Sequence, residues 1–175
     1  SRIEEVIRRA REILEDHRRK STEVRERLKK LLKEHEDKSR RVKEESEKIN
    51  RDVKRELVRD RKILEELKRR SDRLNEELDR LSKDVADKIR ELIKELKRIS
   101  DDLKRRIEEI IEMLRRGKDV DKVLKEIEDL VRKADELLRE LLKRVEDLVR
   151  RADEVLEELL RRNRKLAEDV MRKDK

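Results

Sequence analysis

The sequence predicts an all-α fold, a very long straight helix followed by an antiparallel second helix, and three observations carry that prediction. The first is an 18-residue repeat: residues 125–142 read KEIEDLVRKADELLRELL and residues 143–160 read KRVEDLVRRADEVLEELL. Residues 80–97 and 98–115 share the same apolar register. A repeat of this length makes five turns of an ideal helix. The apolar face therefore drifts neither left, as a heptad repeat would, nor right, as an 11-residue repeat would. The second observation is composition: 59% charged and 33% hydrophobic, with no Phe, Trp, Tyr, Pro or Cys. Such charge usually favours disorder, but here Leu, Ile and Val keep a strict helical register that a disordered chain does not need. The third is the scarcity of helix breakers, with one Gly in the whole chain.

The elements follow in order. Ser1 with Glu4 reads as a capping box that starts the first helix. Along it, Ile13, Leu31, Ile49, Leu67, Val85 and Leu103 fall on one column of the repeat, and Val6, Val24, Val42, Asp60, Leu78, Leu96 and Leu114 fall on another. A loop normally resets the phase, so the register predicts one uninterrupted helix of about 115 residues, roughly 170 Å long. Asp60 in a core column is the objection. A break near residues 58–62 would instead give three helices of nearly equal length in a three-helix bundle. From residue 63 onward the apolar stripe widens through the columns Ile63, Leu81, Ile99 and Leu74, Leu92, Ile110. The segment Arg115-Arg116-Gly117-Lys118-Asp119 supplies basic residues in a last turn, Gly at the C′ position and Asp as the next N-cap. The second helix then runs from Val120 to about Met171, with a stripe wide enough to fold back along residues 63–116.

These features divide the chain into an extended, oligomerising single-helix stalk over residues 1–60 and a helical hairpin over 61–175, with helices 61–116 and 119–173 and a turn at 116–119. A narrow stripe without a partner in its own chain cannot be buried alone. The expected assembly is therefore an oligomeric coiled coil or helical bundle. A homotrimer would give a three-helix stalk opening into a six-helix bundle, and dimer and tetramer are the alternatives.

Composition also narrows the partners. The net charge is +8, but acids and bases alternate along the chain, giving i,i+4 pairs rather than a basic stripe. No aromatic residue is present on which a base could stack, so specific nucleic-acid binding is not expected. Without Cys, disulfides, thiol nucleophiles and thiolate metal sites are excluded. No apolar run is long enough for a membrane span, and no signal-peptide core is visible. The expectation is a soluble chain without a targeting signal, suited to recombinant cytoplasmic expression, with no membrane partner. A lipid-surface helix would want Trp or Phe at the interface.

Polar residues inside the stripe are the remaining candidates for chemistry. His17 and Ser21 form an i,i+4 pair that His35 and Ser39 duplicate one repeat later. Ser71 and Asn75 return to the same two columns. Ser46 with Asn50 gives another pair, in a column that reads Leu28, Ser46, Leu64, Ser82 and Ser100. Asn163 interrupts a column begun by Ile127 and Val145. Burying such groups costs about 1–3 kcal/mol each unless they are hydrogen-bonded. Their recurrence predicts networks that fix register and chain number. Three symmetry-related His17 imidazoles would suit zinc, but the sequence places no carboxylate behind them. Ser21 beside His17 lacks an evident third orienting group for nucleophilic catalysis. If His17 and His35 are buried neutral, desolvation favours the neutral form, and the His-Ser layers would make a pH-responsive assembly switch. Assembly then weakens as pH falls.

The near-identical repeat blocks, the aromatic-free Leu/Ile/Val core, the Glu/Lys/Arg/Asp surface and the turn RRGKDVDK resemble computationally designed parametric helical bundles. The Ser, Asn and His set pairwise in core columns resemble the buried hydrogen-bond networks of such designs. The resemblance spans the whole chain and implies a self-assembling rod or scaffold. Neither the resemblance nor the residues points to catalysis, a cofactor, a metal or a small-molecule ligand.

Overall fold

The computed structural model describes residues 1–56 and 60–173, which form three α-helices: α1 (Arg2–Glu56), α2 (Arg61–Arg115) and α3 (Val120–Lys173). Each begins for a local reason, and α2 also ends for one. Ser1 Oγ accepts from the Glu4 amide at 3.4 Å, while the Glu4 carboxylate lies 3.5 Å from the terminal ammonium. This is the expected reciprocal cap. Asp60 is not helical; its Oδ1 accepts from the amides of Lys62 at 3.1 Å and Ile63 at 3.4 Å, capping α2. Asp119 does the same for α3, accepting from the Asp121 amide at 3.0 Å. Between α2 and α3, Gly117 adopts φ 106°. The Gly117 amide donates to Leu114 at 3.1 Å and the Lys118 amide to Met113 at 3.2 Å, the paired bonds of a Schellman ending.

Two compact units are built from these helices, each a three-helix bundle. Unit 1 comprises residues 1–30 and 89–145, and unit 2 comprises 31–88 and 146–175. In unit 1, Val6, Ala10 and Leu14 of α1 pack with Leu103, Ile107, Ile111 and Leu114 of α2 and with Val123, Ile127 and Val131 of α3. In unit 2, Val42 packs with Leu78, Leu156 and Leu159, and Val53 packs with Leu67, Ala167 and Val170. Within each unit α1 is antiparallel to α2 and parallel to α3.

The expected uninterrupted helix over residues 1–116 is replaced by α1 and α2. Residues 57–59, through which it would have run, lie outside the described residues. On their far side Asp60 satisfies amides that a continuous helix would have bonded internally. Nor is α1 left without a partner in its own chain, because Val6, Leu28, Leu31, Val42 and Val53 are all buried. The fold matches the alternative of three nearly equal helices. Register failed as a guide because this reversal keeps the phase: Leu67, Val85 and Leu103 remain buried in the column of Leu31.

Candidate functional site: buried polar layers

The repeat brings polar side chains from all three helices to the same levels within each unit. In unit 1, His17 is 0% exposed. Its Nδ1 lies 2.8 Å from Asp135 Oδ1 and its Nε2 3.2 Å from Ser100 Oγ. A carboxylate only accepts, so Nδ1–H donates to Asp135. Ser100 Oγ continues to Ser21 Oγ at 2.8 Å. At the other end, Asp135 Oδ2 accepts from Lys20 Nζ at 3.3 Å, and Lys20 also meets Asp16 at 3.2 Å. Hydrogen bonding to Asp16, and then to Asp135, raises the Lys20 ammonium above its ordinary value. One chain of contacts thus runs from a buried hydroxyl pair, through the imidazole, to an ion pair at the surface.

This layer revises one expectation. The third group absent from the sequence reading of His17 is Asp135, held on α3 within RKADEL. Its signal was present, because Asp153 occupies the same place in the next block. Both ring nitrogens are engaged within the chain rather than turned toward copies of themselves.

Serine, imidazole and carboxylate here follow the bonding order of a nucleophilic triad. The surroundings differ from a triad's. Ser100 is buried in the middle of α2, where backbone amides are committed to the helix ladder and none is left to stabilise an oxyanion. The arrangement can hold and orient a proton.

Unit 2 holds a second network, unlike the first. Asn163, 1% exposed, donates from Nδ2 to Ser46 Oγ at 2.9 Å and Asn50 Oδ1 at 3.1 Å. Ser46 Oγ–H donates to Asn75 Oδ1 at 2.9 Å, and Asn50 Nδ2 donates to Ser71 Oγ. Five candidate residues from three helices therefore meet in one cluster. His35 is buried in the same unit and stands apart from them, with Nε2 3.2 Å from the Ser82 carbonyl. Ser39 is buried, and its hydroxyl has no hydrogen-bond partner among the described residues. Among the described residues, no three His, Cys, Asp or Glu side chains are grouped to hold a metal ion. No described helix is long and apolar enough to cross a membrane.

No protein-family model, curated protein or solved structure matches the chain. Its described architecture is all-helical, with Ser, Asn and His contacts buried between helices.

Proposed function

We propose that the protein is a non-catalytic helical scaffold of designed origin, whose buried polar layers set the alignment of its helices. One observation carries this reading. The arrangement closest to catalytic chemistry, Ser100–His17–Asp135, ends in a second buried hydroxyl instead of an opening for substrate. The supporting pattern is repetition: the same template supplies apolar columns, surface charge and polar layers alike. Burial of the α1 stripe within the chain favours a self-sufficient bundle. Light scattering coupled to size exclusion tests this directly, with a mass of 21.5 kDa expected. In parallel, a fluorophosphonate probe is expected to leave Ser100 unmodified, and a Ser100 adduct would overturn the scaffold reading.

A second reading, self-association as a homotrimer, dimer or tetramer, is favoured by apolar side chains outside the core. Leu137 is 43% and Val155 45% exposed, at equivalent positions of successive repeats on α3, and Met113 is 48% exposed. A scattering mass that is a small multiple of the monomer's, and that falls with Leu137→Glu and Val155→Glu, would select this reading.

A further inference from the structure

The His17 layer is written twice. Moving one repeat forward on α1 and α3 and one repeat back on α2 turns His17, Ser21, Ser100 and Asp135 into His35, Ser39, Ser82 and Asp153. Asp135 follows His17 by 118 residues, and Asp153 follows His35 by the same interval. All four residues of the second set lie in unit 2. Yet their bonding differs. The His35 ring donates from Nε2 to the Ser82 carbonyl at 3.2 Å. Four buried atoms there have no hydrogen-bond partner among the described residues: His35 Nδ1, Ser39 Oγ, Ser82 Oγ and Asp153 Oδ1. They are the counterparts of the four atoms that bond one another in unit 1.

Their chemistry is complementary to one small molecule. A carbonyl oxygen can only accept, so Nε2 carries the proton and Nδ1 of the neutral ring is an acceptor. Asp153 Oδ1 is a second acceptor. The Ser39 and Ser82 hydroxyls each have a proton to donate. Two acceptors and two donors, at the positions equivalent to the bonded layer of unit 1, match the two O–H bonds and two lone pairs of water. Buried waters characteristically satisfy two to four otherwise unpartnered polar groups in this way. We infer that the His35 layer is an internal water-binding site. The water donates to His35 Nδ1 and Asp153 Oδ1 and accepts from Ser39 and Ser82. The two layers then hold their imidazoles in opposite tautomers, Nδ1–H at His17 and Nε2–H at His35.

Long-range proton–nitrogen correlation spectra of the full chain, labelled with nitrogen-15 at histidine and recorded near pH 8, read each tautomer from its nitrogen shifts. Cross-relaxation from the water resonance to ring protons reports bound water in the same sample. The expected result is opposite tautomers, with a water cross-peak at the His35 ring that is lost in S39A/S82A. The Nδ1–H tautomer at both histidines would overturn the inference, because the second layer would then be closing directly as the first does. An Nε2–H His35 with no water cross-peak would overturn it too.

Discussion

Replacing Asp135 with alanine isolates the contribution of the His17 layer. The carboxylate accepts a 2.8 Å bond from Nδ1 of a ring that is 0% exposed, and its own side chain is 12% exposed. Water can replace little of the lost contact at the ring. A hydrogen bond to a charged group is worth about 1.5–3 kcal/mol, and a stranded buried donor costs about 1–3 kcal/mol. These describe one loss from two sides, so Asp135→Ala is expected to destabilise the protein by about 2–3 kcal/mol. With a urea slope of about 3 kcal/mol/M for a chain of this size, the midpoint falls by roughly 1 M. The companion His17→Leu/Asp135→Leu removes both partners at once and is expected to recover to within about 1 kcal/mol of the parent. Asp102→Ala is the control: that carboxylate is 63% exposed and meets Arg105 at 3.2 Å. It should change stability by under about 0.5 kcal/mol. Urea titrations followed by circular dichroism, at several protein concentrations, complete the cycle. The reasoning fails if Asp135→Ala costs no more than Asp102→Ala, or if the double variant is as weak as the single.

Three further outcomes follow from the described geometry. Asn163→Ala withdraws the donor shared by Ser46 and Asn50 in a site 1% exposed; chemical denaturation should show a loss of about 2–3 kcal/mol. Gly117→Ala meets nothing within 4 Å, yet φ 106° is strained for any L side chain. A loss of about 1–2 kcal/mol is expected from thermal melting, whereas a neutral result would mean that the Schellman ending is dispensable. Lys20 has its ammonium raised above 10.5 by Asp16 and Asp135. Its small, solvent-screened contribution is therefore complete below pH 10.5 and lost as pH climbs through the raised folded value. Lys20→Met should remove that alkaline component from a stability–pH profile and leave the neutral region nearly unchanged.

Much of this fold was legible because helical period and burial coincide. The all-helical class, the ending at Gly117 and the buried positions of His17, Ser21, His35, Ser39, Ser46, Ser71 and Asn163 all follow from spacing. The reversal at Asp60 was legible only as an alternative. Aspartate is both a poor core residue and a good N-cap, and a phase-preserving turn leaves the apolar columns continuous on paper. Pairing partners were hidden. Periodicity places Ser100 and Asp135 on faces, but only the antiparallel course of α2 and the parallel course of α3 bring them to His17. Spacing also cannot say why two identical sets of residues, at His17 and at His35, bond differently.

Repetition creates an ambiguity of its own, and the Asn163 cluster removes it. A helix shifted by one whole repeat would set Leu against Leu again, and the duplicated His–Ser–Asp layer would find a copy of itself. The Asn163 layer has no such copy: one repeat earlier on α3 stands Val145, and the counterpart of Ser46 is Leu28. A slipped frame would strand Asn163 against hydrocarbon and leave Ser46, Asn50, Ser71 and Asn75 without it. In a molecule composed of interchangeable blocks, that unrepeated layer acts as an index mark, a level at which a misaligned frame differs from the correct one.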